Sequence, residues 1–117
     1  MSADGAQAEA RALRHLESQG LKLLERNWRC RGGELDLVMQ DGNAIIIVEV
    51  RARGRSDFGS AFESVTARKQ ARIVRATRLL LAQRPQWAER EIRFDVVAID
   101  GEGAIDWLRG AFEVSES

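Results

Sequence analysis

Gly33-Glu-Leu-Asp-Leu-Val-Met-Gln-Asp41, then Gly42-Asn43, then Ala44-Ile-Ile-Ile-Val-Glu-Val-Arg51 is the stretch that decides how this chain folds. Two apolar-rich runs, residues 35–40 and 44–51, flank Asp41-Gly42-Asn43, and glycine and asparagine tolerate the positive φ that tight hairpin turns need. They read as an antiparallel hairpin. Side chains alternate along a strand, so Leu35, Leu37 and Met39 share a wholly apolar face with Ile46, Val48 and Val50, which is core. The other face carries Glu34 and Asp36 on one strand and Glu49 and Arg51 on the next, beside Val38, Ile45 and Ile47. With Gly42-Asn43 as the central turn residues, Asp36 lies across from Glu49; with Asp41-Gly42, Glu34 does. Either register gathers the four charged side chains, and a three-residue loop would separate them. Carboxylates set across a sheet repel, and half-burying them is costly without a counter-charge. A bound cation would relieve both penalties; so would pairing with Arg51 or another basic side chain.

Working outward, residues 3–18 are rich in Ala, Glu, Arg and Leu at helical spacing, and Gly20 stands where a helix would stop. Residues 21–29 read as a first strand, broken by Gly32-Gly33. Beyond the hairpin, residues 52–64 hold Gly54 and Gly59 without a sustained period and read as a loop. Residues 66–83 form a second helix, closed off before Pro85. Residues 92–99 are a β-forming run, and Gly101 to Gly103 turn the chain into a last strand over 105–113. The order is αβββαββ, an α/β (α+β) chain. With 117 residues and 44% hydrophobic content there is material for one core, so residues 1–117 are expected to form a single domain.

The apolar run from Ala44 to Val48 is far short of the ~20 residues that a membrane span requires, and the N-terminus has no signal-peptide core, so a cytoplasmic protein without a membrane partner is expected. One cysteine, Cys30, excludes an internal disulfide and a multi-cysteine zinc site. One histidine, His15, leaves any metal site dependent on carboxylates, whose oxygens suit Mg²⁺ or Mn²⁺. Eighteen basic residues balance eighteen acidic ones, but the charge is segregated. Between residues 51 and 78, Arg51, Arg53, Arg55, Arg68, Lys69, Arg72, Arg75 and Arg78 are opposed only by Asp57 and Glu63. A basic surface there would attract nucleic acid, DNA in particular, although a solvated helix face has the same composition.

Helix faces sharpen this. The apolar stripe of the second helix runs through Ile73, Ala76 and Leu80, and one turn before Ile73 it reaches Lys69, which is therefore expected to point inward. Arg68, Arg72 and Arg75 lie on a neighbouring stripe, free to meet phosphates, as is Arg53 after the hairpin. On the first helix Glu9 begins the stripe of Leu13 and Leu16. Trp28, Trp87 and Trp107 are expected to serve as core and rim packing, leaving Phe58 as the better candidate for stacking on a base.

These residues resemble a known family. The motifs are G-x-x-x-E-x-x-A (Gly5, Glu9, Ala12), R-N (Arg26, Asn27), G-E-L-D-L (Gly33 to Leu37), V-E-V-R-x-R (Val48 to Arg53), F-G (Phe58, Gly59), Lys69 and R-F-D-V-V (Arg93 to Val97). Together they are similar to the YraN family of small bacterial proteins, from Gly5 to Phe112. That family is grouped by similarity to archaeal Holliday-junction resolvases with the PD-(D/E)xK nucleases. The resemblance implies a restriction-endonuclease-like mixed sheet flanked by helices. It also implies a metal held by Asp36, Glu49 and the Val50 carbonyl, assisted by Glu9, with Glu34 as an accessory carboxylate. The activity implied is metal-dependent phosphodiester hydrolysis leaving a 5′-phosphate and a 3′-hydroxyl. A homodimer is compatible with it.

The family pattern is usually E-V-K, whereas here the third position is Arg51. Arginine keeps the charge and can grip a phosphate through two donors, but it does not accept a proton near neutrality. Lys69 could supply the amine from the helix; alternatively the chain is a catalytically impaired nucleic-acid-binding module on the same scaffold. A third class is an interaction protein whose carboxylates pair internally.

Overall fold

The computed structural model describes residues 3–53 and 58–114. A first helix, α1 (Ala3–Ser18), leads into three antiparallel strands, β1 (Lys22–Cys30), β2 (Gly33–Asp41) and β3 (Ala44–Ala52). A short helix α2 (Phe58–Glu63) and a long helix α3 (Ala67–Gln83) follow, then one 3-10 turn (Pro85–Trp87), β4 (Ile92–Ile99) and β5 (Ile105–Phe112). The five strands form one sheet in chain order, with β3 and β4 parallel and every other pair antiparallel. This mixed α+β sheet, flanked by helices, is consistent with a restriction-endonuclease-like fold. Two elements are added to the order read from the sequence, the 3-10 turn and α2, whose six helical residues lie within the stretch read as loop and are too few to show a period.

Local chemistry explains the boundaries. Helix α1 ends in a left-handed glycine, Gly20 (φ 92°), with Gly20 N–H donating to Glu17 and Leu21 N–H donating to Leu16. Leu21 then packs into the same cluster as Leu16, the apolar contact that goes with this cap. Thr66 caps α3, its hydroxyl oxygen accepting from the Lys69 N–H at 3.2 Å. Between β2 and β3 only Gly42 has positive φ (60°), the pattern of a type II′ turn with Gly at its first central position. Asp41 pairs with Ala44 and Leu37 with Val48, so the register is the one that sets Asp36 against Glu49.

Two clusters cover the two faces of the sheet. On one, Ala8, Ala12 and Leu16 of α1 meet Leu37, Met39, Ile46, Val48, Val50, Val97 and Ile99. On the other, Ile73, Ala76 and Leu80 of α3 meet Leu35, Val38, Ile45, Ile47, Phe94 and Val96. Leu80 is fully buried, so truncating it to Ala is expected to cost about 3 kcal/mol. Leu35 corrects the sequence reading: it lies in the α3-side cluster and not with Leu37. The strand changes face between them, at Asp36.

The tryptophans pack as expected. Trp87 is buried, Trp28 borders the α3-side cluster, and Trp107 borders the α1-side cluster under the Arg109 guanidinium, 4.0 Å from its ring centre. The Phe58 side chain and the charged residues Arg55 and Asp57 lie outside the described residues. No helix among the described residues is long and apolar enough to cross a membrane.

Candidate functional site

The β2–β3 ladder runs from the turn to Leu37 and Val48 and then stops, while β3 stays paired with β4 through Ala52. β2 has therefore parted from β3 at Asp36, and a cleft of about 890 Å³ opens there. Its floor is Gly33, Asp36 and residues 49–52; one wall is Gly5, Ala8 and Glu9 of α1; the other is Arg68, Lys69 and Arg72 of α3 with its cap Thr66, and Arg29, Cys30 and Glu34 stand at the rim. Close approach of α3 depends on Gly33, where an added Cβ would stand 3.3 Å from the Ala76 Cβ.

Asp36 takes over part of the lost ladder. The Val50 N–H, which a continuing ladder would bond to a β2 carbonyl, donates to Asp36 Oδ2 at 3.0 Å. The Asp36 and Glu49 carboxyls are neighbours in the parted ladder, and the charge of Asp36 disfavours ionising Glu49. Glu49 is only 6% exposed. Burial first, and then the charge of Asp36, pushes its carboxyl up to about 8. Asp36 too is held above its ordinary value by burial, although the Val50 N–H and Arg51 pull the other way.

Two cations reach Glu49 from different elements. Arg51 Nη2 is 3.1 Å from Oε1, and Lys69 Nζ is 3.8 Å from the same oxygen. Neither fully compensates it. Arg51 Nε and Nη2 are buried without a hydrogen bond of acceptable geometry, so the 3.1 Å approach offsets only part of the burial cost. Lys69 keeps its side chain 39% exposed and borders the cleft, where part of its charge stays with solvent.

Glu9 comes from α1. It is 5% exposed, its Oε1 has no hydrogen-bond partner, and burial followed by the Asp36 charge raises its pKa. Glu34 stands at the rim, opposite Arg29 on β1, with Arg29 Nε 3.5 Å from Oε2. Glu9, Glu34, Asp36, Glu49, Val50, Arg51, Lys69, Arg68 and Arg72 thus border one cleft. Arg75 is exposed on α3 but does not border it, and Arg53 borders an adjoining hollow with Arg11, Asp100 and Gly103. Arg29 and Thr66 belong to the cleft and were missed by sequence reasoning. A cross-strand Arg29–Glu34 pair would have been the signal for the first, and the helix cap for the second.

Among the described residues, no three His, Cys, Asp or Glu side chains come together closely enough to hold an ion by themselves. What is present is a carboxylate pair, a third carboxylate with a bare buried oxygen, and the Val50 main chain. Mg²⁺ is commonly held by one or two carboxylates, with waters and substrate phosphates completing its shell, so this donor set fits it.

The Asp95 of R-F-D-V-V lies elsewhere and has a structural task. It is fully buried and accepts from Arg93 Nε at 2.8 Å and Nη2 at 2.9 Å. Trp107 Nε1 donates to it at 2.8 Å and Gly110 N–H at 3.0 Å. Those bonds pin β5 where its pairing with β4 shifts register.

The profile of the Uncharacterised protein family UPF0102 matches residues 8–99. The chain is 51% identical over 116 residues to the UPF0102 protein PSEEN4497 of Pseudomonas entomophila (strain L48), covering 96% of this chain and 94% of that protein. UPF0102 proteins of Ectopseudomonas mendocina (strain ymp) and Stutzerimonas stutzeri (strain A1501) are each 52% identical, with 93% of both chains covered.

Proposed function

This chain belongs to UPF0102, the YraN family, and we propose that it is a metal-dependent endonuclease hydrolysing phosphodiester bonds in DNA. The observation that carries the reading is the Asp36–Glu49 pair, a half-buried and a buried carboxyl side by side at a cleft that also holds Glu9 and Glu34 and is lined by Arg29, Arg51, Arg68, Lys69 and Arg72. An internal ion-pair network would place each carboxylate against a cation with good geometry. Here one carboxyl is pushed to about 8 and a third oxygen, Glu9 Oε1, is bare. Such groups call for a cation.

Asp36, Glu49 and the Val50 carbonyl would hold Mg²⁺ or Mn²⁺, with Glu9 assisting. When bound, the ion supplies positive charge against the phosphodiester and makes water acidic enough to attack near neutrality. The remaining work falls to the protein. Arg51 presents two N–H groups to a phosphate oxygen pair. Lys69 Nζ, half exposed beside Glu49, holds a water or phosphate oxygen at the reacting side. Arg29, Arg68 and Arg72 line the approach and take the flanking phosphates.

The second reading, a nucleic-acid-binding module without hydrolysis, rests on Arg51, which places a permanently charged guanidinium 3.1 Å from Glu49, where the nuclease pattern that the chain resembles usually has a lysine. Incubation with duplex, single-stranded and four-way-junction DNA in Mn²⁺ separates the two: cleavage lost in Asp36→Asn supports the nuclease, and metal-dependent binding without cleavage supports the module.

A further inference from the structure

Asn27 is the only non-glycine residue with positive φ (51°) among the described residues. Side chains avoid that conformation because Cβ crowds the backbone, and asparagine tolerates it better than most. The residue sits inside β1, with regular pairs on either side, Arg26 with Leu37 and Trp28 with Leu35. Its place in the ladder is therefore opposite Asp36.

At that position the two strands change face together. Leu37 lies in the α1-side cluster, whereas Leu35 and its partner Trp28 lie with the α3-side cluster, although residues two apart on a regular strand share a face. Continuing the alternation of Leu37 and Val38 would turn Asp36 into the α3-side core. The twist instead carries it to the gap between β2 and β3, where Oδ2 meets the Val50 N–H. The Asn27 Oδ1 is buried without a hydrogen-bond partner, and Asn27 does not border the cleft. A bare acceptor is not what fixes the residue here; its side chain does hold down the pKa of Glu9 through a hydrogen bond, a contact that Asn27→Gly removes while keeping the left-handed backbone, so the two roles separate.

We propose that Asn27 is a positioning residue: its left-handed backbone turns the β1–β2 ribbon by one face and thereby seats the Asp36 carboxylate on the Val50 N–H, beside Glu49. The consequence for the site rests on the function proposed above; the placement of Asp36 does not. Strained backbone of this kind persists where the surroundings over-determine it, and it clusters at functional sites.

Amide hydrogen exchange on the whole chain without metal tests it, because the Val50 amide reports the Asp36 contact directly. In Asn27→Ala, Val50 protection is expected to fall by about tenfold or more, while that of Val48, inside the intact ladder, stays within about threefold. Asn27→Gly and Asn27→Asp, which keep access to the left-handed region, are expected to retain Val50 protection. A folded Asn27→Ala with unchanged Val50 protection would overturn the assignment, as would a folded Asn27→Gly that loses it. If Asn27→Ala does not fold, the Gly and Asp variants decide by the same criterion. A Mn²⁺ titration of the same samples keeps the two ideas apart: wild type that binds no Mn²⁺ while Val50 protection follows the variants refutes the metal site and leaves the positioning role standing.

Discussion

The Lys69 ammonium stands 3.8 Å from Glu49 Oε1, brought there from a helix that the chain reaches only after completing the β2–β3 hairpin. Arg51, two residues after Glu49 on the same strand, reaches the same carboxylate oxygen at 3.1 Å, so a guanidinium and an amine meet there from different elements. In the nuclease reading, Lys69→Ala lowers the cleavage rate by roughly 100-fold, the scale of one lost charge-stabilising donor. The loss is smaller in an Arg51→Lys background, and a double-mutant cycle on single-turnover rates measures the coupling. Additive effects would show that the two cations act independently.

Glu49 links stability to pH. Its carboxyl is pushed from an ordinary 4.5 to about 8 by burial and by Asp36, so the folded chain retains a proton that the unfolded chain has released. Metal-free stability is therefore greatest below the ordinary value and declines as pH climbs towards the raised one, by at most about 1.4 kcal/mol per pH unit. Glu49→Gln, which has no proton to lose, flattens that slope in urea titrations. Because a divalent ion needs the ionised carboxylate, stabilisation by millimolar Mn²⁺ grows between about pH 6 and about pH 8. A metal-induced shift in Tm that is flat with pH would count against Glu49 as a ligand.

Asp95 gives the opposite expectation. Asp95→Ala strands the Arg93 guanidinium, the Trp107 indole N–H and the Gly110 N–H, and costs about 3 kcal/mol in urea unfolding, the scale of a broken buried ion pair. Mn²⁺ affinity of the protein that remains folded is unchanged, since Asp95 has no place in the cleft. A parallel loss of metal binding would mean that the β4–β5 register supports the site as well.

Much of this was legible in residue order. Asp41-Gly42-Asn43 between two apolar runs specified the hairpin but allowed two registers, and the pairing of Asp41 with Ala44 selects the one centred on Gly42-Asn43. The stripe of Ile73, Ala76 and Leu80 oriented α3 and pointed Lys69 inward. Alternation failed at Leu35, because the face change is imposed by the backbone of Asn27 on the neighbouring strand, and no periodicity within β2 reveals it. Asp95 read as one motif residue among several, since its partners Trp107 and Gly110 lie more than ten positions away across a bulge. Helix α2 escaped because six residues do not display a helical period.

The arginines on α3 divide by position. Arg68 and Arg72 border the cleft and Arg75 does not, so replacing the first two by Ala weakens DNA binding for all sequences and lowers the salt slope by roughly two phosphate contacts, while Arg75→Ala has the smaller effect. Fluorescence anisotropy across a salt series measures both. An unchanged slope in the double variant would take α3 out of the interface.

The most direct test of the central claim is cleavage itself, with end-labelled duplex, single-stranded and four-way-junction DNA incubated with Mn²⁺ and wild type, Asp36→Asn or Glu49→Gln. The expected result is metal-dependent cutting of at least one substrate by wild type, leaving 5′-phosphate and 3′-hydroxyl ends, and its loss in both variants with the fold intact. No cutting of any substrate by wild type, or equal cutting by the folded Asp36→Asn variant, would contradict it.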